Sequence, residues 1–148
     1  MAEFIRLPDV AMAVLRTRDV GAGSLPPLGR SVSSATDLVV ATGPDEWLAI
    51  AQDADAEALY GRLSQYSGIV VDVSGNRVRY RVAGVGACWF LAAGCAFDID
   101  ALEAGDAVST LLARAQVTII AEESESFLVL PRRSFAAYLE NWAAAVGD

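Results

Sequence analysis

Between Arg77 and Ala83 the chain alternates cleanly: Val78, Tyr80 and Val82 take one set of positions, and Arg77, Arg79 and Arg81 the other. A period of two sends successive side chains to opposite faces of a strand, so this stretch requires a sheet with one dry face. Three guanidinium groups on the other face need water or acidic partners, because an unpaired buried charge is costly. A solvated face is the expectation and a docking surface the alternative.

A second pattern has the helical period. Phe135, Tyr138, Leu139, Trp142 and Val146 recur at helical spacing, which predicts an amphipathic helix beginning near Ser134. From Asp53 to Tyr66, Ala56, Leu59, Tyr60, Leu63 and Tyr66 do the same, with Asp53 or Asp55 as N-cap and Gly68 as stop. A short third helix is expected from about Gly86 to Cys95.

Strands are expected at Ala11–Arg18, Asp37–Thr42, Glu46–Ala51, Gly68–Ser74, Arg77–Ala83, Ala107–Ala113, Gln116–Glu122 and Ser126–Leu130. Gly43-Pro44-Asp45-Glu46, Gly75-Asn76 and Glu123-Ser124-Glu125 are turn sequences that join neighbours among these strands. Val20–Ala35, rich in glycine, proline and serine, reads as a loop. Antiparallel hairpins with about three helices make an α+β fold. With 148 residues, one domain spanning 1–148, with 20–35 as a loop, is the expected organisation.

Composition narrows the function. Net charge is -8 with 11 basic residues, which argues against a surface that tracks phosphates, so no nucleic-acid partner is expected. No apolar run reaches the roughly 18 residues of a membrane span. Met1–Val10 contains Glu3, Arg6 and Asp9 and does not read as a secretory signal, which leaves the cytoplasm as the expected compartment. A mean hydropathy of +0.38 points either to a surface covered by another chain or to a large aliphatic core.

The chain has neither histidine nor lysine. That excludes Ser-His and Cys-His catalytic pairs, histidine-ligated metals and a lysine base for Ser74. Cys88 and Cys95, read as lying on one helix, are separated by about 10 Å of rise, beyond disulfide reach, and are expected to be inert buried thiols. Gly84-Val85-Gly86 sits where a dinucleotide fingerprint would. Its third position is Trp89, whose indole blocks close helix–strand packing, so a tight turn is the better reading. Asp98 and Asp100 lack a partner to split their pKa values and read as a solvated loop.

Arg132 and Arg133 precede the last helix, where cations oppose its dipole. The choice lies between solvation or pairing with the Glu122–Glu125 turn and a use on a partner chain, such as holding a carboxylate or phosphate. Trp47, Trp89 and Trp142 are core or interface anchors. Trp47, Arg132, Arg133 and Trp142 are the candidate interface residues; no catalytic, cofactor or metal residue is expected.

Four stretches in order resemble the gamma subunit of heterotetrameric sarcosine oxidase: Gly43-Pro44-Asp45-Glu46-Trp47-Leu48; Val71-Asp72-Val73-Ser74 with Arg77; Leu91-Ala92-Ala93-Gly94-Cys95-Ala96-Phe97-Asp98-Ile99; and Thr110-Leu111-Leu112-Ala113-Arg114-Ala115 with Arg132-Arg133-Ser134-Phe135-Ala136-Ala137-Tyr138-Leu139 behind it. The family's Lys-Gly-Cys-Pro is Ala93-Gly94-Cys95-Ala96 here. The resemblance implies a fold similar to the folate-binding domain of glycine-cleavage aminomethyltransferases. It also implies alpha, beta and delta partner chains that hold NAD, tetrahydrofolate, FAD, FMN and zinc, with none of these in the gamma chain. The implied reaction is oxidative demethylation of sarcosine. The alternatives are a subunit of a related N-methyl amino acid dehydrogenase, and a stand-alone folate-binding or one-carbon-transfer protein whose acidic contact to the pterin would be Asp72 or Asp98.

Overall fold

A computed structural model describes residues 2–18, 25–53 and 55–147. In chain order the first strands are β1 (Glu3–Arg6), β2 (Met12–Thr17), β3 (Ser31–Ser33), β4 (Asp37–Gly43), β5 (Glu46–Ala51) and β6 (Gly68–Asp72), with helix α1 (Ala56–Leu63) before β6. Then come β7 (Tyr80–Ala83), α2 (Ala87–Ala92), β8 (Ala107–Leu112), β9 (Ala115–Glu123), β10 (Ser126–Pro131) and α3 (Ala136–Gly147), with 3-10 turns at Ile99–Ala101 and Arg133–Phe135. The chain divides into two compact units, Asp9–Gly75 and a second formed by Met1–Pro8 with Asn76–Asp148.

The Asp9–Gly75 unit is an antiparallel sheet ordered β3-β4-β5-β2-β6. The β4–β5 hairpin closes on Gly43 paired with Glu46, so Pro44 and Asp45 form its turn as the sequence predicts. Asp55 caps α1 by accepting a hydrogen bond from Ala58 N at 3.1 Å. Leu59 and Leu63 on the buried side of α1 pack on Ala13, Leu15, Ala49 and Ala51. The carboxylate of Asp37 takes the guanidinium of Arg62, which reaches Asp53 as well.

The second unit is an antiparallel sheet ordered β1-β7-β10-β9-β8. Helices α2 and α3 contribute to its core: Phe90 and Leu91 from α2, and Ala136, Leu139 and Ala143 from α3, join Tyr80, Val82, Val117, Ile119 and Val129 of the sheet. Rings tie the layers together. Phe4 stacks on Tyr80 at 4.5 Å and lies 5.9 Å from Phe90, which meets Trp142 edge-on at 5.3 Å.

Several expectations change. Gly75-Asn76 is not a hairpin turn, because β6 pairs with β2 while β7 pairs with β1 and β10. Strand β7 starts at Tyr80, although Val78, Tyr80 and Val82 are all buried as their alternation predicts. Each arginine of the opposite face has an acceptor: Leu130 O for Arg77, Pro8 O for Arg79 and the Glu122 carboxylate for Arg81. Within the expected loop, residues 20–24 lie outside the described residues, and Ser31–Ser33 forms a short strand. Cys95 lies beyond the end of α2, and both cysteines are free. On α3 the buried stripe is Ala136, Leu139 and Ala143, whereas Tyr138 is exposed, as is Phe135 in the 3-10 turn before the helix. Among the described residues no helix is long and apolar enough to cross a membrane.

Candidate functional site

Helix α2 ends at Ala92, and the chain turns through Ala93 and Gly94 to the buried Cys95. Gly94 O accepts a hydrogen bond from Ala113 N at 2.8 Å, which ties this turn to the β8–β9 hairpin. A Cβ on Gly94 would stand 2.6 Å from the Trp142 ring and 3.1 Å from Ala113 N, so only glycine lets the three segments meet. Cys95 Sγ lies 3.8 Å from Thr110 Oγ1 on β8.

The hairpin turn itself is unusual. Leu112 pairs with Ala115, which leaves Ala113 and Arg114 as a two-residue loop with φ of 51° and 73°. Positive φ at both positions defines the type I′ turn, normally made by Asn-Gly or Gly-Gly. A side chain in the left-handed region costs roughly 1–2 kcal/mol per residue, so other bonds must hold the turn. The Tyr138 hydroxyl supplies one by donating to Ala113 O. The result is a shallow, open hollow lined by Gly94, Cys95, Ala113, Arg114, Tyr138 and Trp142. It brings together pieces of the third and fourth stretches quoted above.

The four sequence candidates fall in different places. Trp47 is 4% exposed in the Asp9–Gly75 unit, where its indole N–H donates to Pro26 O at 2.8 Å. As an interface candidate it is corrected: its ring is core, with almost no surface to offer. Trp142 is half-buried, with its ring forming one wall of the hollow. Arg132 is exposed. Arg133 donates to Arg77 O at 3.4 Å, and its own backbone N–H reaches Asn76 O. The Glu122 carboxylate takes Arg81 and not these two arginines. Arg81 is the first cause of a Glu122 pKa below the ordinary carboxylate value, with burial opposing.

Groups weighed for chemistry are held in structural roles. Ser74 Oγ accepts from Met12 N at 3.0 Å, and the Asp72 carboxylate takes Ser74 N at 2.9 Å. That backbone bond is the first cause of a lowered Asp72 pKa. Asp98 is exposed beside the 3-10 turn in the other unit, so the two candidate pterin carboxylates belong to separate units. Burial first, then Asp100, pushes the Cys88 thiol up, which keeps it protonated and weakly nucleophilic at neutral pH. Tyr80, buried and bonded to Glu140, has its pKa raised by both effects. Among the described residues no group of three or more acidic or cysteine side chains is placed to hold a metal.

Gly84 and Gly86 both have positive φ and make a tight turn into α2. Trp89 does not block the helix–strand seam as expected: its indole points outward, 69% exposed, while Ala87, Phe90 and Leu91 face inward. Sequence reasoning left Trp89 out of the interface set, because nothing in the six residues of α2 sets its phase.

A model of the family described as "Sarcosine oxidase, gamma subunit family" matches residues 8–147. The sarcosine oxidase subunit gamma of Corynebacterium sp. (strain U-96) is 35% identical over 104 residues, which are 68% of this chain and 51% of that protein. The subunit gamma of Arthrobacter sp is 34% identical over the same shares. The chain thus spans about half the length of these curated relatives. Among solved structures, a chain of the heterotetrameric sarcosine oxidase from Corynebacterium sp. U-96, in complex with pyrrole 2-carboxylate, superposes with a TM-score of 0.84. That likeness covers 98% of this chain and 83% of the other at 25% identity. The glycine cleavage system aminomethyltransferase T from Bartonella henselae shares the fold alone, with a TM-score of 0.71 at 13% identity over 96% of this chain and 45% of the other. With a family model spanning residues 8–147, the chain belongs to the sarcosine oxidase gamma subunit family.

Proposed function

We propose that this chain is the structural, non-catalytic subunit of a heterotetrameric flavin-dependent oxidoreductase that oxidatively demethylates sarcosine. The observation that carries this reading is the family match over residues 8–147, joined to a fold shared over 98% of the chain with a chain of a heterotetrameric sarcosine oxidase. In this reading alpha, beta and delta chains are its partners. They hold NAD, tetrahydrofolate, FAD, FMN and zinc, and this chain contributes surface and rigidity.

The chemistry of the residues supports the non-catalytic part. A chain without histidine or lysine has lost the usual bases for activating Ser or Cys. Its Ser74 hydroxyl is engaged by the backbone of Met12, and its half-buried Cys88 thiol is shifted away from thiolate. Co-expression with the neighbouring genes, then size-exclusion chromatography with absorbance at flavin wavelengths, tests the reading. The expected result is elution in a yellow complex of several subunits; a colourless chain that elutes alone overturns it.

A further inference from the structure

We propose that the Ala113–Arg114 turn is a docking point at which Arg114 receives an Asp or Glu carboxylate of a partner protein chain. This rests on the subunit reading above and adds to it the place and chemistry of one contact.

Arg114 is exposed and has no side-chain acceptor among the described residues. Other arginines find carboxylates within their own unit: Arg6 with Glu140, Arg16 with Glu46, Arg62 with Asp37 and Arg81 with Glu122. In a chain of net charge -8, an arginine with no carboxylate partner among the described residues is spare for another molecule. It also stands at a left-handed position where glycine or asparagine would sit without strain, so folding alone does not account for it.

The turn is rigid before anything binds. Gly94 O holds Ala113 N, and the Tyr138 hydroxyl holds Ala113 O, so both polar groups of Ala113 are fixed. The fixed backbone sets the point from which Arg114 projects, and its planar fork matches a carboxylate at two points. Beside it stand Tyr138, 47% exposed, and Phe135, 38% exposed, with their rings 6.3 Å apart. Exposed aromatic rings next to an arginine are the composition of a protein interface core. The hollow is too open to enclose a small molecule, which needs most of its surface covered. The chain's negative charge disfavours a polyphosphate. A carboxylate on a protein surface satisfies both conditions.

The test uses the full chain co-expressed with its neighbouring gene products, carrying Arg114→Glu or Arg114→Gln. Reversing the charge is expected to weaken assembly by about tenfold or more, and Arg114→Gln by less, with the gap to wild type narrowing as salt rises. The isolated variants are expected to melt with the wild type, because the guanidinium has no side-chain acceptor among the described residues. An assembly equally tight with Arg114→Glu overturns the proposal. A wild-type chain that binds no neighbour overturns the subunit reading instead, and a second measurement then decides the docking point. The isolated chain is titrated with a short capped peptide that carries a single glutamate while the Trp142 Nε1–H resonance is followed by NMR. A saturable shift that disappears in Arg114→Gln upholds the docking point; no shift, or the same shift in the variant, overturns it.

Discussion

The two units use the same antiparallel arrangement and fill it in opposite ways. Under α1, the Asp9–Gly75 unit places Ala13 directly opposite Ala49, with Ala51 beside them, so the helix rests on small side chains. The other unit spans its core with a run of rings, Tyr80 to Phe4 to Phe90 to Trp142. Small residues let a helix approach closely, but leave no slack for growth. Rings fill volume with few side chains, so each loss opens a large void. One unit is therefore sensitive to enlargement and the other to truncation.

The largest expected effect tests the ring-filled core. Phe90 is 5% exposed and joins Phe4 to Trp142. Phe90→Ala is expected to destabilise the protein by about 3–5 kcal/mol, measured by urea denaturation followed through tryptophan fluorescence. A loss under about 1 kcal/mol would mean that the rings collapse onto the void and that the run is not a support. The next effect tests the alanine floor. Ala49→Leu is expected to cost about 1–3 kcal/mol by lifting α1 off the sheet. If the larger side chain were neutral or stabilising, the floor would contain unused space, and the contrast between the units would fail.

Much of this arrangement is legible in the sequence where local chemistry decides it. The Pro44-Asp45 turn, the Asp55 cap and the Val78–Tyr80–Val82 dry face each depend on a few adjacent residues, and each is found in place. What was not legible depends on distant pairing. Strand β1 is too short to show a period, and its register, Glu3 against Ala83, is set by the far side of the chain. The Gly75-Asn76 signal is a genuine turn sequence, but the strands on either side of it belong to different sheets. On α3 side-chain size misleads in part: Leu139 is buried as its spacing predicts, but it shares the contact with Ala136 and Ala143, while Tyr138, and Phe135 just before the helix, face outward. The candidate hollow was half legible. Trp142, Gly94, Cys95, Ala113 and Arg114 all lie in segments the sequence singles out, but Ala113-Arg114 carries no turn signal, so its left-handed backbone emerges only in three dimensions.

The smallest effect compares the ion pairs of the two units. Arg62 and Asp37 in the alanine-floored unit are 29% and 15% exposed at their side chains, against 41% and 29% for Arg81 and Glu122 in the other. The more open pair is the weaker, about 0.2–1 kcal/mol for an exposed geometry. Because Arg81 holds the Glu122 pKa below its ordinary value, the folded state binds this proton less readily than the unfolded chain. That contribution is complete above the ordinary carboxylate range, near pH 4, and is lost as pH falls through the lowered value. Glu122→Gln is expected to lower stability by that small amount at neutral pH, with the difference from wild type shrinking in acid below about pH 4. Denaturant titrations at a series of pH values measure it. A difference that grows in acid would place the proton-sensitive group elsewhere, and one that is flat with pH would show that Glu122 acts through shape and not through charge.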